Sequence, residues 1–129
     1  MSIREFAEKY IKAEREAWSN GNFDNLEALE HKDIVFKFAG IPDAVGWEAH
    51  KQYIQSATKC VSDCKPKWEY LTGDGKVFAI RYKLCFKVAQ ENPMRLPVGK
   101  RVATDHIMVF EMKDGKIQIG WSNGTTKIE

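Results

Sequence analysis

Three side chains in this sequence have the type and the surroundings to move a proton: Glu14, His50 and His106. Glu14 falls between Tyr10 and Trp18 on the apolar stripe of an amphipathic stretch. A carboxyl taken out of water there keeps its proton to higher pH and can act as acid or base. The alternative is a Glu at the wet edge of the stripe, which needs no function. His50 belongs to a second inward stripe, Trp47, His50, Tyr53, Ile54, Ala57 and Val61. An imidazole there either pairs with Glu14 or a tyrosine or serves as a hydrogen-bonded structural histidine. His106 shares strand parity with Val102, Thr104, Met108 and Phe110. A slip of one residue in that strand would turn Asp105 inward in its place. In the preferred register Asp105 and Arg81 both face outward and form a cross-strand ion pair worth under about 1 kcal/mol.

Around these three the sequence offers large apolar walls. Trp18, Phe36, Phe38 and Tyr53 are expected to line a pocket, and Trp68, Tyr82, Met108, Trp121 and Asn123 to complete it. Apolar walls with a few convergent polar groups are the form of a small-molecule site, and aromatics on strands are equally the form of a core. No phosphate-binding loop, metal-ligand spacing or nucleophile elbow occurs, so neither cofactor nor metal is implied. The three cysteines, Cys60, Cys64 and Cys85, form no CxxC pair, which points to reduced thiols rather than a disulfide framework or a zinc site.

Length and charge bound what can hold such a site. A chain of 129 residues, 43% hydrophobic and 29% charged, is expected to form one domain over residues 1–129 with a single core. The net charge of +2 is spread along the chain without a basic face, which argues against nucleic acid. No apolar run approaches the roughly 20 residues that cross a bilayer, arguing against a membrane protein. The start, Met1-Ser2-Ile3-Arg4-Glu5, is charged too early for a secretory signal, so a cytoplasmic location is expected.

The periodicity places these residues on elements. Apolar spacing of three and four predicts a helix over Ile3 to Trp18, capped by Ser2 and closed by Ser19-Asn20-Gly21-Asn22. A short helix, Asp24 to Glu30, is expected to begin on an acidic cap with Leu26 and Leu29 inward. Asp33 to Ala39 alternates as a strand, Gly40 to Gly46 reads as a loop, and Trp47 to Val61 as a third helix. After Pro66 the period is two: strands at Lys67 to Thr72, Val77 to Val88, Arg101 to Met112 and Lys116 to Asn123, with a loop at Ala89 to Gly99 holding Pro93 and Pro97. The turn Lys113-Asp114-Gly115-Lys116 is a strong hairpin signal. The order α-α-β-α-β-β-β-β predicts an α+β fold, a curved, cone-shaped, mostly antiparallel sheet packed on three N-terminal helices. Val77, Ala79, Ala103, Ile107 and Val109 on its outward face make a patch that wants a cover, and a homodimer through that face is expected.

That order, with Trp18-Ser19-Asn20-Gly21-Asn22-Phe23-Asp24-Asn25-Leu26, Asp33-Ile34-Val35-Phe36, Gly46-Trp47-Glu48-Ala49-His50 and Phe110-Glu111-Met112-Lys113-Asp114-Gly115-Lys116-Ile117, resembles the nuclear-transport-factor-2-like superfamily, in particular its SnoaL-like branch. The resemblance covers nearly the whole chain. It implies either a pocket for an apolar small molecule with acid-base chemistry of isomerase, cyclase or dehydratase type, or a noncatalytic dimerisation or binding module with a filled pocket. The sites of its known enzymes are not reproduced here. The isomerase base falls on Phe38 or Lys37, and the oxyanion tyrosine on Glu14. The acid seven residues before the hairpin glycine is Met108, Trp121 is followed by no acid, and the hydrolase Arg and Asp pair is represented only by Arg81 and Lys83. Any chemistry therefore rests on Glu14, His50 and His106.

Overall fold

The computed structural model describes residues 1–92 and 94–129; Pro93 of the expected loop lies outside the described residues. Helix α1 (Ile3–Asn20) starts where Ser2 Oγ accepts the Glu5 N–H at 3.1 Å and ends at Gly21, whose φ of +68° suits a residue without Cβ. Its stripe of Phe6, Ala7, Tyr10, Ile11 and Ala17 is buried, and Glu14 is buried with it. Helix α2 (Asp24–Leu29) buries Leu26 and Leu29, but the expected acidic cap does not form. Phe23 occupies the cap position, and Asn22 Oδ1 accepts the Asp24 N–H at 3.2 Å instead. The helix also ends one residue early, releasing Glu30 into the next strand.

Strand β1 (Glu30–Phe38) pairs antiparallel with β2 (Ile41–Val45), a segment that reads as loop because it holds Pro42 and does not alternate. An edge strand tolerates both, since one side of its backbone needs no ladder partner. Helix α3 (Trp47–Cys60) is followed by β3 (Val61–Asp74), so Val61 opens a strand rather than closing the helix. Pro66 lies inside β3 and is accommodated because β3 is the opposite edge. The sheet is completed by β4 (Val77–Val88), β5 (Arg101–Lys113) and β6 (Lys116–Ile128) in the order β2-β1-β6-β5-β4-β3. Among the described residues, only the β1 and β6 pairing is parallel. The helices pack on the concave face, α1 against β3 and β4, α3 against β1. This is the expected α+β cone, with one more strand.

The register decides which residues face into the cone. Asp114 and Gly115 both have positive φ, 52° and 79°, giving the tight turn that fixes the β5–β6 hairpin. Tyr82 stands opposite His106 and Ile80 opposite Met108, so His106 faces inward. Asp105 faces outward, where its carboxylate takes Arg81 Nε at 2.9 Å and Nη2 at 2.6 Å.

On β6 the alternation breaks. Ile117 pairs with Met112 but Ile119 with Glu111, leaving Gln118 as a bulge that reverses parity beyond it. Ile117 is therefore inward, yet Gly120, Ser122, Gly124 and Thr126 take over the inward face. Trp121, expected in the pocket, lies opposite Val109 on the outward face and is 38% exposed. Asn123 lies opposite Ile107 and reaches the pocket only at its rim.

Two inward glycines on β6 are placed by close approach. A Cβ at Gly120 would meet the rings of Phe36 and Phe110 at 2.9–3.0 Å, whereas one at Gly124 would collide with the backbone of Asp105 and His106. Rings can shift and a paired backbone cannot. Gly124→Ala should therefore cost about 3 kcal/mol or more, and Gly120→Ala about 1 to 2, in urea unfolding. Equal costs would show that β6 is not held this close to β5.

Candidate functional site

At the narrow end of the cone four polar side chains from three elements meet inside the apolar core. Tyr10 and Glu14, one helical turn apart on α1, face Glu30 at the start of β1 and His50 on α3. The Tyr10 hydroxyl lies 2.8 Å from Glu14 Oε1 and 3.0 Å from Glu30 Oε2. Trp18 Nε1 donates to Glu14 Oε2 at 3.0 Å. His50 Nδ1 lies 2.9 Å from Glu30 Oε1, and its Nε2 is 3.7 Å from Glu14 Oε1, too far for a direct hydrogen bond. Glu14 is 7% and Glu30 2% exposed, so water contributes little to this arrangement.

Proton counting constrains the group. Tyr10 has one hydroxyl hydrogen and two carboxyl oxygens within hydrogen-bond distance, so one of the two bonds requires a proton on a carboxyl. Burial raises the pKa of Glu14, and the nearby Glu30 charge adds to this; His50 and the bonds from Tyr10 and Trp18 pull the other way without reversing it. Glu14 is thus suited to hold that proton. Burial also pushes Tyr10 well above its ordinary value, with the Glu14 and Glu30 charges acting in the same direction, so its hydroxyl stays protonated. For His50 burial works to lower the pKa, but the Glu30 carboxylate, with help from Glu14, outweighs it and the net shift is upward. With Nδ1–H held by Glu30, the group left to exchange a proton with anything new is Nε2.

Glu14, Glu30 and His50 also bring three donor atoms within 4.8 Å of one another, the spacing of a metal-ligand set. Each carboxyl is already engaged, Glu14 by Tyr10 and Trp18 and Glu30 by Tyr10 and His50. A cation would have to break those bonds, so the geometry is that of a proton-sharing network.

The network opens on a small inner chamber of about 50 Å³, walled by Glu14 and His50 and by Phe36, Trp68, Ile80 and Met108. That is room for a water or for the end of a larger molecule, not for a whole ligand. Four rings, Trp18, Phe38, Tyr53 and Tyr82, wall both this chamber and a larger outer pocket of about 430 Å³, forming a collar between the two. The outer pocket is apolar along Ala57, Val61, Leu84 and Phe86, with Met94 and Leu96 of the connecting loop. That loop is braced by Asn92, which accepts the Leu96 N–H and donates to the Leu96 carbonyl, both at 2.9 Å. His106, Ser122, Thr104 and Thr126 also line the outer pocket, with Thr104 beside Leu84 on the neighbouring strand. His106 stacks on Tyr82, with ring centroids 5.0 Å apart, and its Nδ1 lies 3.3 Å from Ser122 Oγ. Burial lowers its pKa and the neighbouring Asp105 charge only partly offsets that, leaving a neutral imidazole at pH 7.

The structure thus divides the three residues singled out from sequence. Glu14 and His50 meet in one network, and His106 stands apart in the outer pocket. Of the expected lining, Trp18, Phe38, Tyr53 and Tyr82 form the collar, Phe36, Trp68 and Met108 the inner chamber, Asn123 the rim, and Trp121 none of it. Sequence reading missed Glu30 and Tyr10 as members of the network. Glu30 looked like the last residue of a helix, and Tyr10 like ordinary apolar stripe. A signal was present for Tyr10, because i and i+4 on one face forces it against Glu14. Ser122 was hidden by the bulge.

A family model described as the SnoaL-like domain matches residues 11–119. Among solved structures, TsrD from Streptomyces laurentii superposes with a TM-score of 0.80 at 17% identity, covering 96% of this chain and 91% of that one. SalBIII, described as an epoxide hydrolase/cyclase-like enzyme with a role in pyran ring formation in salinomycin, gives 0.69 at 19% identity, with 98% and 95% covered. An LEH-like epoxide hydrolase from M. tuberculosis gives 0.69 at 19% identity, with 94% and 84% covered. At such identities the likeness is one of fold. Comparison with curated proteins returns no match.

The network makes stability depend on pH in a defined sense. The folded state holds protons on Glu14 and His50 above their ordinary values of 4.5 and 6.5. Each contribution is complete below the ordinary value and is lost as pH rises through the raised one, so both make the fold less stable toward alkaline pH. Melting temperatures measured from pH 5 to 9 should fall, and Glu14→Gln should flatten the fall. Tyr10→Phe, which strands two carboxyl oxygens, should cost about 1 to 3 kcal/mol at neutral pH. A melting temperature that climbs over this range in the parent protein would contradict the assignment.

Proposed function

The chain belongs to the SnoaL-like domain family, and from that premise we propose that it binds a mostly apolar small molecule in the outer pocket and transfers a proton at the inner chamber. In its neutral form, above its raised pKa, His50 is the base, accepting a proton at Nε2 while Glu30 holds Nδ1–H and stabilises the imidazolium that forms. Glu14 is the acid, its proton kept by burial and by the Glu30 charge. A substrate whose reactive end passes the collar can lose a proton to one group and gain one from the other, which suits isomerisation, cyclisation or dehydration. His106 acts from the outer pocket, where it meets the body of the ligand.

One observation carries this reading. An acid and a base of opposed character, Glu14 and His50, stand 3.7 Å apart on the wall of a chamber that shares four aromatic walls with a ligand-sized pocket. The smallness of the inner chamber favours the rival reading, a noncatalytic module in which the network only braces three elements. The two separate on ligand response. Thermal shift against steroids, polyketides and aromatic acids should find compounds that raise the melting temperature. Thr126→Trp, which places an indole at an exposed position of the pocket wall, should abolish the shift while leaving the fold intact. For a ligand so found, His50 imidazole resonances that move on binding support chemistry at the inner chamber; unmoved resonances support the module.

We further propose that two copies associate through the outward sheet face. Support comes from Ile107, 51% exposed, which forms an open apolar groove with Trp121, Val109 and Leu71 around the Arg81–Asp105 pair, with Val77 exposed nearby. Light scattering should give a dimer at micromolar concentration and a monomer for Ile107→Glu. A parent protein that is already monomeric would sink this proposal.

A further inference from the structure

The hydrogens of the buried network can be placed one by one. With the shared proton on Glu14 Oε1, Glu14 donates to Tyr10 Oη across 2.8 Å, Tyr10 donates to Glu30 Oε2 across 3.0 Å, and His50 Nδ1–H donates to Glu30 Oε1 across 2.9 Å. The other Glu14 oxygen, Oε2, accepts from Trp18 Nε1 at 3.0 Å. Every hydrogen then has an acceptor, and the Glu30 carboxylate holds two donors. Tyr10 is absent from the walls of both chambers, so its influence on a bound molecule passes through the two carboxyls.

Proton transfer at the inner chamber alters the charges of this network and not its heavy atoms. Glu14 gives its proton to the substrate and His50 Nε2 takes one from it, which leaves two carboxylates and an imidazolium. The imidazolium remains against Glu30 at 2.9 Å. Glu14, 7% exposed, becomes an anion whose Oε1 has no hydrogen left on its side of the 2.8 Å contact with Tyr10. A buried carboxylate short of a donor is costly, and a hydrogen bond to a charged group is roughly twice as strong as a neutral one. The hydrogen placed to fill the gap is that of Tyr10. A phenolic hydrogen turns about its C–O bond while the oxygen stays where it is. The ring itself is held, because Tyr10 is fully buried and its ring meets those of Phe110 at 5.0 Å and Phe78 at 6.2 Å. The oxygen is thus fixed between two carboxyl oxygens at similar distances, and only its hydrogen is free to change sides.

We propose that the Tyr10 hydroxyl hydrogen changes partner during proton transfer, from Glu30 before Glu14 gives up its proton to Glu14 afterwards, and that Tyr10 is the positioning residue through which Glu14 and His50 act together. This inference rests on the acid role proposed for Glu14. After the exchange each carboxylate has a strong donor opposite, Tyr10 and Trp18 on Glu14 and the imidazolium on Glu30. The bond from Tyr10 to Glu14 carboxylate exists after transfer and not before, so it favours transfer over binding. Its donor stands in place before the charge appears, the arrangement that stabilises developing charge without reorganisation. The rival donor is a water in the inner chamber, whose volume of about 50 Å³ admits one. In that case the Tyr10 hydrogen stays on Glu30.

Ionising Glu14 by pH reproduces the charge that transfer leaves on it, so the test needs no substrate. The full chain, labelled with carbon-13 at tyrosine Cζ and glutamate Cδ, is titrated from pH 4 to 10 by NMR, with Tyr10→Phe, Glu14→Gln and Glu30→Gln assigning the signals. Tyr10 Cζ should move in step with Glu14 Cδ, and that step should be missing in Glu14→Gln, where His50 still titrates. 3-Fluorotyrosine at position 10, a stronger donor, should lower the Glu14 midpoint, whereas Tyr10→Phe should raise it by about one pH unit or more. A tyrosine that merely fills space would show neither response. If Tyr10→Phe does not fold, the parent and the fluorotyrosine protein decide between the outcomes. A Tyr10 signal that ignores the Glu14 step, or a Glu14 midpoint that fluorotyrosine leaves unmoved, overturns the exchange of partners while Glu14 remains the acid. If Glu14 Cδ is already that of a carboxylate from pH 5 upward in the parent, the acid role itself fails and takes this inference with it.

Discussion

A single tyrosine hydroxyl, that of Tyr10, stands within 3.0 Å of two carboxyls that have almost no access to water. Two ionised carboxylates could not share that space: each would lose its hydration, they would repel one another, and one hydroxyl hydrogen cannot serve both. The arrangement is stable only with an extra proton and a cation or donor opposite; burial suits Glu14 to hold the proton, and the His50 imidazole stands against Glu30. Helix α1, strand β1 and helix α3 are held at fixed distances by these bonds as well as by the surrounding rings. The polar cluster thereby sets how the helices sit on the sheet, and in the same act it leaves Nε2 of His50 and the Glu14 carboxyl on a chamber wall.

The sheet contributes the other half of the geometry. Its curvature lets a pocket open at the wide end of the cone, and the bulge at Gln118 turns a row of small residues, Gly120, Ser122 and Gly124, toward the concave side. Without the parity change, Trp121 would point inward and fill much of the space that now lies beside His106. Small inward residues on β6, rings on α1, β1, α3 and β4, and a neutral polar edge on β5 together divide the interior into an inner chamber with chemistry and an outer pocket with room. The collar that separates them is shared by both, so a ligand in one is in contact with the walls of the other.

Much of this was legible from the sequence, for reasons that are themselves physical. Helix stripes and the Asp114-Gly115 turn act locally, so Glu14, His50 and the inward orientation of His106 follow from periodicity and turn chemistry. The ion pair of Arg81 with Asp105 follows from the same register. What escaped notice depends on tertiary context. Glu30 sits at a helix-to-strand junction, where an acidic residue reads as solvent-facing, and only the packing of α3 against β1 reveals that it is buried. The bulge at Gln118 carries no glycine or proline to announce it, and the parity of Ser122 and Trp121 was inverted accordingly. Strand β2 and the early start of β3 lie on sheet edges, where prolines are tolerated and alternation is not required.

Everything proposed for the inner chamber depends on Glu30 fixing the orientation of His50 so that Nε2 faces the chamber as the exchangeable site. Nitrogen-15 NMR of histidine-labelled protein, titrated from pH 5 to 10, reads this directly, because the two ring nitrogens report their protons separately. Nε2 should lose its proton while Nδ1 keeps its own, at a pH above the ordinary 6.5, and Glu30→Gln should bring that midpoint down. Loss of the Nδ1 proton first, or a midpoint indifferent to Glu30→Gln, would contradict this role for Glu30.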